Sequence, residues 1–413
     1  MGAVLALDFG TSNSAAAMLD GGHLRRIPME DGADTLPTAV FFPTEGGPMQ
    51  VGEAAARALI AGEDGRYMRA LKSVLGTALI DEERMIGGRR RTLSGVITEF
   101  LREVKARAEA RTGQRFDHVL SGRPVRFHSG DPDRDRRAEA DLLACYRAAG
   151  FDDIRFRYEP EAAALAAHAA GDSDDDGLGL IVDIGGGTSD FSVFRARNRQ
   201  VEVLASHGIR LGGTDFDRAL SMRHVMPLLG HGGELRRPMG GGHLPVPNGI
   251  YADLATWAKI PFLYTRETER LVEGLVRDAV EPEKLERLGD VIEQRLGHDI
   301  AFAVERGKIA ANGNQATGID LAVIEPGLEA PLDAAGLDAT LGGFADDLSA
   351  AIAETLAFAT VDAAEIGTVV LVGGSSLMGL VEHVARSACP GATLARAQAF
   401  TAVVDGLALA SDD

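Results

Sequence analysis

Short apolar runs broken by glycine set the plan of this chain. Residues 4–9 are apolar except for Asp8, which is enough for one buried strand, and Gly10-Thr11-Ser12-Asn13-Ser14 ends it. Residues 15–19 form a second apolar run closed by Asp20-Gly21-Gly22, so the pair predicts two antiparallel strands joined by a small-residue turn. Further on, the pattern predicts strands around prolines at 37–52 and a helical stretch at 53–76 carrying Lys72. It then predicts an amphipathic helix at 93–111, a strand at 119–124 and a helix at 134–149. An alanine-rich helix covers 159–170, with Pro160 in its first turn, where proline fits. After an acidic loop at 172–176, read as a lobe boundary, residues 178–184, 190–195 and 201–206 are strands. Residues 219–312 are largely helical, interrupted by a Gly/Pro-rich stretch at 229–249. Residues 369–372 form a strand ending in Gly373-Gly374-Ser375-Ser376, and 402–410 a closing helix.

One device occurs twice. Leu7-Asp8-Phe9-Gly10-Thr11-Ser12 and Val182-Asp183-Ile184-Gly185-Gly186-Gly187-Thr188-Ser189 each run from an apolar strand through Asp and Gly to a Thr in a turn, and then to a second strand. One copy opens each half of the chain, so the economical reading is two similar lobes facing each other. Glycines let backbone N–H groups converge and let a ligand approach closely, and such concavities bind anions. Two of them face to face suit a polyphosphate. The Asp ending each strand would then repel the phosphates unless a divalent cation intervenes. Mg²⁺ takes oxygen ligands and keeps several waters, so Asp8, Asp183 and Asp190 are expected to hold it through its hydration shell. Neither copy is a Walker loop, because Gly-x-x-x-x-Gly-Lys-Ser/Thr is absent.

Composition narrows the partners. With 61 acidic and 42 basic side chains the net charge is −19, a field that repels nucleic acid and anionic membrane, so neither is expected as a partner. At 413 residues the chain exceeds one ordinary core, and two or three lobes are expected. Cys145 and Cys389 stand apart, which excludes a disulfide scaffold or cysteine zinc site and fits a reducing cytosol. The N-terminus lacks a basic region, and no apolar run approaches a membrane span, so a cytoplasmic location is expected. The alanine and arginine richness reads as a property of the genome. Lysines number only five, which singles out each of them, Lys72 included.

These residues resemble a known family. Asp8 to Ser14 and Asp183 to Asp190 are similar to the two phosphate motifs of the actin, hexokinase and heat-shock ATPase superfamily, and Val372-Gly373-Gly374-Ser375-Ser376 to its adenosine motif. Tyr158-Glu159-Pro160-Glu161-Ala162-Ala163-Ala164, Leu211-Gly212-Gly213-Thr214-Asp215-Phe216-Asp217, and Val51 to Ala55 followed by Leu71-Lys72 narrow the resemblance to the seventy-kilodalton heat-shock chaperones. The likeness is to their ATPase domain. The chain stops at Asp413, where their linker and peptide-binding domain would follow, as in the shortened proteins of the YegD type, which the segment 244–257 also resembles.

The resemblance implies an α/β actin-like (ribonuclease H-like) ATPase fold with two lobes around a central nucleotide cleft. Lobe I would be residues 1–172, with a small upper part at 37–98 and the closing helix at 394–413 returning to it; lobe II would be 173–393, its upper part at 218–335. It implies ATP/ADP and Mg²⁺ as cofactors, slow ATP hydrolysis, and a protein client or co-chaperone as partner. Asp8, Asp183 and Asp190 would arrange hydrated Mg²⁺, and Glu159 would join them through water. Gly10, Thr11, Ser12, Asn13, Gly185, Gly186, Gly187 and Thr188 would cradle phosphates, with Gly212 and Gly213 beside them. Lys72 would stand near the γ-phosphate and the attacking water, its charge stabilising the transferred group. Glu305 and Lys308 would hold the ribose, and Gly373, Gly374 and Ser375 would flank adenine. The two arginines that sandwich adenine in the family are Ile309 and Leu377 here, so the cation–π part is lost and base selectivity should weaken. Rival readings are a small-molecule kinase using Asp215 or Asp217 as base, a filament-forming ATPase, and a degenerate nucleotide-binding adaptor. Glu305 and Lys308, at i,i+3 spacing, would be a surface ion pair on the plainest reading.

Overall fold

The computed structural model describes residues 3–128, 130–171, 176–197, 200–237, 241–315, 317–396 and 401–411. They group into two compact units, Met1–Gly213 with Ala345–Asp413, and Thr214–Phe344. The acidic loop falls on 172–175, outside the described residues, as do 397–400 and 412–413 of the closing segment and 238–240 of the Gly/Pro-rich stretch.

One sheet pattern builds the first unit twice. The first sheet has the order Asp153–Tyr158, His118–Arg123, Val4–Phe9, Asn13–Asp20, His23–Ile27, with Thr35–Pro37 also paired to Asn13–Asp20. The second has the order Gln200–Ile209, Ser189–Arg197, Asp176–Ile184, Ile366–Val372, Thr393–Arg396. Each is a three-strand antiparallel meander continued by two parallel strands. The internal repeat in the sequence is therefore a repeat of topology. In both sheets the repeated Asp lies near the carboxyl end of the strand shared by the meander and the parallel part, the edge where ligands bind in such sheets.

Between the sheets lies a core of small side chains. Ala162, Ala163, Ala164 and Ala167 of helix Glu159–Ala170 pack with Ala402, Val404 and Leu407 of helix Ala402–Leu409. The same cluster takes in Ala6, Ala17 and Leu120 from the first sheet and Ile181, Phe194 and Val370 from the second. A Cβ at Gly406 would lie 1.7 Å from the Ala162 carbonyl oxygen, so the two helices meet backbone to backbone. Alanine at these positions is thus a packing requirement, whatever the genome favours elsewhere.

A side-chain clasp ties the same helix to the first sheet. Arg26 donates from Nε and Nη2 to the two carboxylate oxygens of Asp405 at 2.8 and 2.6 Å. Asp405→Ala is expected to cost about 2–3 kcal/mol, since it strips a partly buried guanidinium of a bidentate partner. Chemical denaturation checks this, and an unchanged midpoint would show the clasp to be energetically idle.

Several predicted elements need correction. The stretch 53–76 is not one helix. Helix Glu53–Ile60 is followed by Gly62 at φ +68°, a left-handed conformation that cannot continue a right-handed helix. Gly65–Arg69 is then a strand paired with Ala39–Pro43, and Lys72 sits on a 3₁₀ turn, Leu71–Val74. Strand Asp153–Tyr158 and the 26-residue helix Ala334–Ala359 were not predicted. The strand is an edge with charged alternate residues, and Gly336, Gly342 and Gly343 punctuate the helix.

The second unit is mainly helical. Helices Arg266–Asp278, Pro282–Glu293 and Gly297–Asn312 bury Val272, Leu275, Leu285, Leu288, Val291 and Ile300, and two short hairpins accompany them. Among the described residues, no helix is long and apolar enough to cross a membrane.

Candidate functional site

The two glycine turns meet in the first unit. A Cβ at Gly186 would lie 2.4 Å from Ser12 Oγ and 3.2 Å from Thr11 Cβ, and one at Gly187 would lie 3.1 Å from Thr11 Oγ1. The loop after the second meander joins them: a Cβ at Gly212 would lie 2.6 Å from Gly187 N, and Gly213 N–H donates to the Gly185 carbonyl at 3.0 Å. Gly185 N–H in turn donates to Thr188 O at 2.9 Å, closing the second turn. Gly10 is required by the first turn, where a Cβ would sit 2.2 Å from Asn13 O. Gly373 has φ +83°, and a Cβ there would lie 2.3 Å from Ile184 O and 2.6 Å from Asp183 Oδ1. Ser375, on the following turn Gly374–Leu377, lies against Gly213. The structure therefore gathers Gly10, Thr11, Ser12, Asn13, Gly185–Thr188, Gly212, Gly213 and Gly373–Ser375 from four separate stretches of sequence.

Carboxylates crowd the same strand ends. Asp183 and Asp190 are directly opposed across the second hairpin, whereas Asp8 in the first hairpin faces Ala15. Like charges opposed in this way destabilise a sheet. Asp190 Oδ1 accepts Val125 N–H at 2.7 Å, which links the second sheet to the segment after strand His118–Arg123. Glu159 begins the alanine-rich helix, where a first-turn acid suits the helix dipole. Its Oε1 accepts from Lys72 Nζ at 2.5 Å, and both side chains are buried.

Charge balance makes this site distinctive. Burial, then Glu159, push Asp8 up to about 7, with Lys72 pulling the other way. Burial and Glu159 push Asp190 up to about 8 against the Val125 and Thr188 hydrogen bonds. Asp183 is raised well above the carboxylate range by burial and by Glu159, Asp190 and Asp8. Burial works to neutralise Lys72, but the charges of Glu159, Asp8 and Asp190 outweigh it and hold the ammonium protonated. Among the described residues, four acidic groups thus share one ammonium, that of Lys72. No three acidic, histidine or cysteine side chains among the described residues stand close enough to ligate one ion directly. The set fits a cation that keeps its own water, which Asp8, Asp183 and Asp190 would hold.

Residues expected at the base and ribose fall in two places. Leu377 is in the first unit and exposed; Glu305, Lys308 and Ile309 are in the second, on helix Gly297–Asn312. Ile309 is 62% exposed. Lys308 is buried and donates to Asp217 Oδ1 at 2.7 Å, while Asp217 Oδ2 accepts from Trp257 Nε1 at 3.1 Å. The plain reading of Lys308 as half of a surface pair with Glu305 is therefore replaced by a buried pair with Asp217. The same contacts engage both oxygens of Asp217, leaving it poorly placed as the base of a kinase. Sequence reasoning missed Val125, whose contribution is a backbone N–H and leaves no side-chain signal; Pro124 before it is the one hint of a special conformation there.

A duplicated sheet of this order, with an acidic, glycine-lined site at the strand ends, defines an α/β actin-like ATPase fold. The family described as Hsp70 protein matches residues 82–229. The chain is also 34% identical over 222 residues to the chaperone protein DnaK of Methanothermobacter thermautotrophicus. That match covers 52% of this chain and 35% of the relative, so the chain spans about a third of the length of the curated relative it matches. Both findings are likenesses to the Hsp70 family, and each covers only part of the chain.

Proposed function

We propose that this chain binds Mg-ATP and hydrolyses it slowly, with nucleotide-dependent closure of two lobes, residues 1–172 and 173–393. The observation carrying this reading is the meeting of Thr11 and Ser12 with Gly186 and Gly187, beside the buried Lys72–Glu159 pair. Backbone N–H groups of the two turns would bind the phosphates without needing positive side chains. When bound, Mg²⁺ would supply the positive charge that neutralises phosphate oxygens. Asp8, Asp183 and Asp190 would hold its hydration shell, with Glu159 joining through water.

Lys72 acts as a fixed charge. Held protonated, it favours negative charge developing on the transferred phosphoryl group, and water attack in line needs little beyond positioning. Gly373, Gly374 and Ser375 would flank the adenine, and Glu305 and Lys308 would hold the ribose. Closure of the lobes would act as a switch read by a protein client or co-chaperone, and the place of work would be the cytoplasm. The segment 244–257 resembles that of the shortened heat-shock-like proteins.

Base selectivity follows from Ile309 and Leu377. Aliphatic side chains pack on any purine but offer no cation to the ring face. Calorimetric titration is expected to give ATP and GTP affinities within about tenfold of each other, the loss of a contact worth about 1 kcal/mol. A tight, ATP-only response would contradict this. Phosphate release from bound ATP is the companion measurement, and its complete absence would reduce the chain to a nucleotide-binding adaptor.

A further inference from the structure

The turn carrying Lys72 is held by side chains that the nucleotide reading does not use. His128 is buried, and its ring lies between two elements. Nε2 stands 2.7 Å from the carbonyl oxygen of Leu75. A carbonyl only accepts, so Nε2 carries the proton. Nδ1 stands 2.8 Å from Arg210 Nη1. A guanidinium only donates, so Nδ1 is bare. Both bonds coexist only in the neutral Nε2–H tautomer. Protonation would turn the Nδ1 acceptor into a donor facing another donor and set two like charges side by side.

Arg210 completes the link. Its Nη2 donates to the Ser73 carbonyl at 3.2 Å, directly after Lys72. Arg210 itself follows strand Gln200–Ile209 and precedes Leu211-Gly212-Gly213, the loop bonded to the second glycine turn. The far side of the Lys72 turn is also fixed. Asp141 Oδ2 accepts Gly76 N–H at 2.8 Å, and Asp135 Oδ1 accepts the N–H groups of Phe127 and His128 at 2.6 and 3.2 Å. Gly76 has φ +72°, and a Cβ there would lie 3.0 Å from His128 Nε2 and 2.4 Å from the Arg134 carbonyl oxygen. Ring and turn are packed with no room for a side chain.

We propose that His128, as the uncharged Nε2–H imidazole, is a positioning residue for Lys72. With Arg210 it clamps residues 73–75 to the end of the second sheet and thereby sets where the ammonium stands. The inference rests on the role given to Lys72 above. Charged groups around the ring are Arg210, Arg134 and Asp135. Burial first pushes the imidazole below its ordinary value; Leu75 and Asp135 oppose this, and Arg210 and Arg134 reinforce it. The folded state therefore favours the neutral ring. The clamp is intact above the ordinary imidazole value of about 6.5 and is lost as pH falls below it through the folded value.

The test separates the clamp from the hydrolysis reading. Wild type, His128→Phe and His128→Gln are treated with an amine-acylating reagent, and labelling of Lys72 and Lys308 is followed by mass spectrometry. Phenylalanine keeps the burial but has no ring nitrogen, whereas glutamine offers both a donor and an acceptor. Lys72 is expected to label about tenfold faster in the Phe variant and nearer the wild-type rate in the Gln variant. Lys308, buried in the second unit, should stay unchanged in all three. A Lys72 rate equal in wild type and the Phe variant, or a parallel rise at Lys308, would overturn the proposal. Imidazole nitrogen NMR at neutral pH must also show Nε2 protonated and Nδ1 bare; the opposite tautomer or an imidazolium rejects it. Single-turnover phosphate release is expected to be slower by about tenfold or more in the Phe variant, and its acidic limb, to which Asp8 and Asp190 contribute in every variant, to be steeper in wild type than in the Gln variant. If wild type releases no phosphate, the hydrolysis reading fails, and the labelling ratio still decides the clamp.

Discussion

Lys72→Met is expected to slow phosphate release from bound ATP by about 10²–10³-fold with little change in nucleotide affinity. Lys72 brings an ammonium into the carboxylate cluster, bonded to Glu159 at 2.5 Å. Its charge counts most where negative charge builds up in the transition state, so kcat should fall and binding should not. The substitution has a structural cost as well. Glu159 would remain buried beside Asp8, Asp183 and Asp190, and an orphaned buried charge costs about 3–5 kcal/mol or takes up a proton. A Lys72→Met/Glu159→Gln double variant removes both members of the pair. It should regain much of the stability and none of the rate. Single-turnover measurements at saturating nucleotide, set beside denaturation midpoints, distinguish the two effects. Equal rates in wild type and Lys72→Met would remove Lys72 from the chemistry.

Metal-free protein is expected to lose stability as pH rises from about 4 to about 8. Asp8 is raised to about 7 and Asp190 to about 8, far above the ordinary aspartate value of about 3.9, and Asp183 is shifted in the same direction. In that window the folded state holds protons that the unfolded chain has released. Stability therefore falls with rising pH, and levels off once the groups are ionised in both states. Mg²⁺ favours the ionised forms, so its stabilising effect should be small near pH 5 and largest above about 8. Buried histidines with lowered values, such as His128, act in the opposite sense below about 6.5, so the slope between about 7 and 8 is the diagnostic one. Asp190→Asn keeps an oxygen for the Val125 N–H, removes one titrating group and should flatten that slope. Thermal midpoints with and without Mg²⁺ across pH measure all of this. A Mg²⁺ effect independent of pH would detach the metal from these carboxylates.

Much of the candidate site was legible because its parts are local. Each repeat is a strand, an Asp and a glycine turn within about ten residues, and backbone sterics give glycine there a readable purpose. The strand at Asp153–Tyr158 was not legible, because an edge strand with charges at alternate positions loses the apolar signal. The strand at Gly65–Arg69 was hidden for another reason: it exists through pairing with Ala39–Pro43, a partner more than twenty residues away.

By itself the sequence determined the duplicated strand-and-turn device, the acidic residues at its ends and the family likeness, since all of these are short-range patterns of residue type. Tertiary structure alone decided that Gly186 and Gly187 lie on Thr11 and Ser12, that Asp183 opposes Asp190, and that Lys72 pairs with Glu159. It also decided that Lys308 belongs to Asp217, and that His128 and Arg210 grip the Lys72 turn. Apart from Asp183 and Asp190, which are neighbours in one hairpin, those pairings join residues 53 to 176 positions apart. They are chosen by burial, which removes water as a competing partner and leaves each charge or donor only the groups that folding brings to it.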